Sequence, residues 1–142
     1  MRKLLFLSHS WDYDYLGRDN HQRVEQLYTI LNQMGWSCWF DKYDMGINMD
    51  ACMVKGIEES EVFIICLTKS YCNKINRASY NMRSRSNCLK EWNYAHGRNK
   101  FIIVIIMEPL EVWPRGIVTM YLSGLLYIDG SANNLLESAK KL

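Results

Sequence analysis

Phe101-Ile102-Ile103-Val104-Ile105-Ile106-Met107 is an unbroken apolar run, and Pro109, Pro114 and Gly116 break the chain that follows it. Its length suits a strand, and its lack of alternation means that both faces are covered. A strand buried on both faces belongs inside a parallel sheet with helices above and below it. Leu4 to Ser8 and Val62 to Leu67 are further runs of the same kind. Ser37 to Phe40 is a shorter strand, and Leu125 to Ile128 is a weak fifth.

Helical stretches fill the gaps between these runs. Asn20 is read as the N-cap of a first helix, with Val24, Leu27, Leu31 and Met34 on one face and Gly35 as its left-handed stop. Asn48 opens a second helix, with Met53, Val54 and Ile57 facing the core. Thr68 to about Ser86 reads as a long polar connection. Ser86 or Asn87 caps a third helix, running to about Asn99, and Ser131 to Leu142 forms a closing helix. Right-handed crossovers then predict an α/β fold: a three-layer, flavodoxin-like, doubly wound domain over residues 1–142. Its five-stranded parallel sheet has the order 2-1-3-4-5.

That order makes a geometric prediction. Open α/β sheets bind ligands at the carboxyl ends of their strands, at the switch point, here between strands 1 and 3. The crevice is walled by the loop from Ser8 to Asn20 and by the connection from Thr68 to Ser86. Glu91 lies just inside the following helix. The Asp41 to Asn48 loop lies next door as a lid, with Gly46 as its flexible point.

Bulk properties narrow the function classes. The chain has 142 residues, 49% of them hydrophobic, with a net charge of +2, which does not call for a nucleic-acid or membrane partner. No apolar run is long enough to span a bilayer. The basic-apolar start is read as a strand, because it lacks the length and cleavage site of a secretory signal. The five cysteines (Cys38, Cys52, Cys66, Cys72, Cys88) show no CxxC spacing and read as reduced thiols of an intracellular, cytoplasmic protein. His9, His21 and His96 have no ligand-like spacing, so no metal site is predicted. A phosphoryl-accepting site needs acids where Ser8-His9-Ser10 and Thr68-Lys69-Ser70 stand. There is no P-loop, no dinucleotide glycine fingerprint and no GxSxG elbow. Cys88, near a helix start, is assigned to packing.

Several segments carry a family resemblance. They are Leu5-Phe6-Leu7-Ser8-His9-Ser10, Gly35-Trp36-Ser37-Cys38-Trp39-Phe40-Asp41 and Asp44-Met45-Gly46-Ile47. Gly56-Ile57-Glu58-Glu59-Ser60 through Leu67-Thr68-Lys69-Ser70-Tyr71, and Ser86-Asn87-Cys88-Leu89-Lys90-Glu91, complete the set. In this order the chain resembles the TIR (Toll/interleukin-1 receptor-like) family over roughly residues 3 to 107.

The resemblance implies two activities. One is non-enzymatic assembly with other TIR domains in signal transduction and innate immunity. The other is cleavage of NAD, by hydrolysis or cyclisation, as a self-associating NADase that uses NAD as substrate and no cofactor. The reactive glutamate would be Glu91. Substrate contacts would fall to Ser8, Ser10, Trp11, Asp41, Gly46, Asn87 and Cys88. Asp44, Met45, Gly46 and Ile47 would form the lid and homo-oligomer loop. Enzymatic members commonly carry tryptophan where this chain has Asn87, one helical turn before the glutamate.

The chemistry of the residues is consistent with this. Breaking the nicotinamide–ribose bond passes through an oxocarbenium-like state that one carboxylate can stabilise. The helix N-terminus favours an ionised glutamate at that place. Other readings stay open: Trp11, Tyr13 and Tyr15 stack on a base or pack the sheet rim, and Ser8 and Ser10 bond a ligand or cap their own loop. Lys74, Arg77, Arg83 and Arg85 form a solvated run, or attract a diphosphate or, by non-specific charge, a nucleic-acid backbone.

Overall fold

The computed structural model describes residues 4–40, 49–80, 87–109 and 124–142. The strands are β1 (Leu4–His9), β2 (Ser37–Trp39), β3 (Val62–Leu67), β4 (Phe101–Ile106) and β5 (Leu126–Asp129). The helices among the described residues are α1 (Asn20–Gln33), α2 (Met49–Glu59), α3 (Lys69–Tyr80), α4 (Asn87–Gly97) and α5 (Leu136–Ala139). The sheet order is β2-β1-β3-β4-β5 and every pairing is parallel, as predicted.

Strand periodicity divides the core in two. Phe6, Phe63 and Ile102 are register partners and face α2, α3 and α4, packing with Met53, Ile57, Tyr71, Ile75, Trp92 and Ala95. Phe6 stacks between Trp39 at 4.5 Å and Phe63 at 5.4 Å. The alternate residues, Leu5, Leu7, Ile64 and Ile103, face α1 and α5 through Val24, Leu27, Leu31 and Ala139. Burying a Leu or Ile side chain is worth about 1.5–3 kcal/mol, so these two layers hold the sheet between them.

The structure corrects several sequence readings. The connection after β3 is helical: α3 occupies Lys69–Tyr80, where a polar loop is expected. Its apolar stripe, Tyr71, Cys72 and Ile75, is sparse, and becomes a core face only against β3 and α4. Asp19, and not Asn20, caps α1, its side chain accepting from the Gln22 amide. Asn20 instead donates its amide to the Ser10 carbonyl at 2.7 Å. Met34 lies past the end of α1 and is exposed, as is Val54 on α2. The closing helix is a single turn, Leu136–Ala139. Gly35 does end α1 in a left-handed conformation (φ 100°), and Asn99 (φ 54°) plays that part beyond α4. No described helix is long and apolar enough to cross a membrane.

Candidate active site

At the carboxyl end of β1, side chains alternate between the two layers. Ser8 follows Phe6 onto the face covered by α3 and α4 and is fully buried. Its hydroxyl donates to Glu91 Oε2 at 2.5 Å. The Tyr71 hydroxyl lies 2.8 Å from the same serine oxygen. A serine has one proton to give. With the Ser8 proton directed at Glu91, the Tyr71 phenol donates to Ser8. The chain Tyr71 to Ser8 to Glu91 is thus polarised toward the carboxylate. Burial, and then the neighbouring Cys88 and Glu91, push the Tyr71 phenol well above its ordinary pKa, so it remains a donor.

Local structure sets each member. Tyr71 stands in the first turn of α3, where its amide donates to Thr68 Oγ1 at 3.1 Å. Glu91 is one turn into α4 and 7% exposed. It lines an open recess of about 190 Å³, together with Met53, Val54 and Ile57 of α2 and Lys90 and Tyr94 of α4. The carboxylate therefore has an inner side gripped by the fold and an outer side toward this recess.

A second cluster adjoins it. Ser10, two residues beyond Ser8, donates to Asp12 at 2.9 Å and lies 3.1 Å from Ser70. Lys74 Nζ donates to Ser10 Oγ at 2.9 Å and pairs with Asp12 at 3.0 Å. Hydrogen bonds from Ser70, Lys74 and Ser10 lower the Asp12 pKa to about 2. Glu108, buried after β4, accepts from the amides of Tyr15 (2.9 Å) and Lys69 (2.7 Å), tying the first loop to the start of α3. Asp14 pairs with Arg18 at 2.7 Å, and the buried Arg23 donates to the carbonyls of Met107, Gly130 and Ala132.

Of the residues read from sequence as site residues, the structure brings Ser8, Ser10, Cys88 and Glu91 together. Two of them do not face the open crevice. The Ser8 hydroxyl is directed at Glu91, and the Cys88 thiol donates to the His9 carbonyl at 3.2 Å. Burial pushes that thiol up to about 12, which suits packing and not nucleophilic chemistry. Trp11 is 57% exposed and stacks on His21. Asn87 begins α4. Asp41, Asp44, Met45, Gly46 and Ile47 lie outside the described residues. Sequence reasoning gave no role to Tyr71, Asp12, Ser70 or Glu108. Glu108 carried a signal: it is a charge immediately after the most hydrophobic strand, where the topology puts a crevice.

The chain matches the TIR domain family over residues 5–142. It belongs to the TIR domain family. No curated protein matches it significantly. A solved structure of like fold is the CMP N-glycosidase BcmB of Clostridium botulinum. The TM-score is 0.57 at 20% identity, with 98% of this chain and 96% of that chain covered. At such identity the likeness speaks to fold. This TIR domain thus carries a glutamate held by β1 and α3 at the switch point of its sheet.

Proposed function

We propose that this TIR domain is an N-glycosidase acting on NAD, with Glu91 as its catalytic carboxylate. The observation that carries the reading is the gripped glutamate: Ser8 holds one oxygen at 2.5 Å while the residue lines a recess. Cleavage of the C1′–N bond leaves the electron pair on the departing base and positive charge on the ribose. A preorganised carboxylate stabilises that charge. Water or an internal nucleophile then adds at C1′ and loses its proton, giving hydrolysis or cyclisation. The Clostridium botulinum protein of like fold is a CMP N-glycosidase.

The recess favours a pyridinium base over cytosine. Met53, Val54 and Ile57 are apolar, and Glu91 is the sole carboxyl among its described lining residues. Nicotinamide leaves NAD as a neutral ring and needs no proton. Cytosine leaves as an anion unless an acid supplies one.

Incubating the concentrated protein with NAD or with CMP, and separating the products, tests the reading. Nicotinamide should appear from NAD, with little or no cytosine from CMP. If no nicotinamide appears from concentrated wild type, the alternative stands: a TIR module whose work is assembly with other TIR domains.

A further inference from the structure

A second, larger polar recess, of about 490 Å³, lies between the first loop and α3. The residues on its wall form a recognisable set. Tyr13 and Tyr15 come from the first loop and are 68% and 58% exposed, so their rings are accessible to a partner. Asp12 contributes a half-exposed carboxylate kept ionised by its neighbours. Lys69, Asn73 and Lys74 line it from α3.

The charges of this wall are not equal in availability. Glu108 is buried and directed at the amides of Tyr15 and Lys69. Asp14 is closed by Arg18. Lys74 holds Asp12 and Ser10, which positions its ammonium without exhausting its three donors. Lys69 has no ion-pair partner among the described residues, and its side chain is exposed. The first amide of α3 is already taken by Glu108, so an anion entering here would meet the lysine side chains. What a ligand can meet is two exposed tyrosines, the Lys69 ammonium, and the Asp12–Lys74 pair, whose second carboxylate oxygen and third N–H are not used by the contacts named above.

We propose that this recess binds a nucleoside 5′-phosphate, with its base on Tyr13 and Tyr15, its ribose hydroxyls at Asp12 and its phosphate at Lys69 and Lys74. Each contact follows from ordinary recognition chemistry. Bases stack on exposed aromatic faces. A carboxylate accepts from ribose hydroxyls, and lysine serves phosphate as a point charge. Two sources present this chemistry: the distal half of a dinucleotide substrate, or a free nucleotide. The first source rests on the glycosidase reading and the second does not. Ser10, whose hydroxyl meets Asp12 and Lys74 of the recess wall, stands two residues beyond Ser8 of the Glu91 relay, roughly 7 Å along an extended chain.

Calorimetric titration of the whole chain with AMP and with CMP tests the site apart from turnover. At least one should bind, and Tyr13→Ala combined with Tyr15→Ala should weaken it about 10-fold. Adenosine or cytidine, which lack the phosphate, should bind less tightly than the matching nucleotide, and Lys69→Ala should narrow that gap. These side chains are exposed, and an unchanged circular dichroism spectrum checks that the variants fold. No binding of either nucleotide, or binding that neither variant changes, overturns the proposal.

Kinetics then separates the sources. If the double variant raises the KM for NAD about 10-fold and leaves cleavage of nicotinamide mononucleotide alone, the ligand is the distal half of the dinucleotide. If it loses AMP binding while NAD kinetics stay fixed, the ligand is a free nucleotide. If no NAD is cleaved by any protein, the glycosidase reading fails, and the titration still decides the site.

Discussion

At the scale of the residue, the site is three side chains and two hydrogen bonds. Glu91→Gln keeps the shape and removes the charge. Loss of one such stabilising group typically costs about 100- to 1000-fold in rate. Nicotinamide release should fall by that factor, with little change in the thermal midpoint. Ser8→Ala and Tyr71→Phe act on the same relay but differ in what they leave behind. Removing the serine hydroxyl strands the buried Tyr71 phenol, which costs about 1–3 kcal/mol. Removing the phenol leaves Ser8 still donating to Glu91, so only one net hydrogen bond is lost, about 0.5–1.5 kcal/mol. Denaturant titration should therefore rank Ser8→Ala as the less stable variant. Both should slow nicotinamide release if the relay aims the carboxylate; unchanged kcat in both would reduce the relay to packing.

Elements are held by close contacts that single residues permit. Gly56, midway along α2, faces the Trp39 ring of β2, and a Cβ there would lie 2.7 Å from the indole. Trp39 is itself stacked on Phe6, so it has little room to retreat. Gly56→Ala should cost about 1–3 kcal/mol by overpacking, seen as a lower denaturation midpoint.

The first loop is clasped to α3 by charge instead. The Asp12 pKa is lowered from 3.8 to about 2, so the clasp contributes stability above pH 3.8 and loses it as pH falls through about 2. Wild type and Asp12→Asn should differ in thermal midpoint above that window and converge within it. Half-exposure and screening make the difference small, and it should shrink further in salt. A difference that persists to the acid end of the window would assign the effect to packing.

At the largest scale the described residues form a sheet between two apolar layers, with the candidate functional groups at the carboxyl ends of its central strands. Membership of the TIR family motivates a prediction at this scale. Specific activity should rise with protein concentration, in step with self-association measured by light scattering. Ile47 lies outside the described residues, in the loop that the family resemblance assigns to assembly. Ile47→Asp should reduce association and nicotinamide release together. Unchanged association would remove that loop from the interface, and activity independent of concentration would make the lone domain the working unit.

Residue order alone determined the strands, the sheet order and the place of Glu91. The reason is that burial on both faces writes itself as unbroken apolar runs, such as Val62–Leu67 and Phe101–Ile106. Crossover handedness then leaves few ways to connect them. Glu91 was legible because a short local pattern and a helix start coincide there. Helix α3 was not. Tyr71, Cys72 and Ile75 are too few to mark a helix until β3 and α4 supply the surface that covers them. The relay was hidden for a related reason. Ser8 stands 63 residues from Tyr71 and 83 from Glu91, and hydroxyls and carboxylates at such separations carry no periodic signal. Only the folded sheet brings them within hydrogen-bonding distance, because parallel pairing aligns the carboxyl ends of β1 and β3 and packs α4 across them.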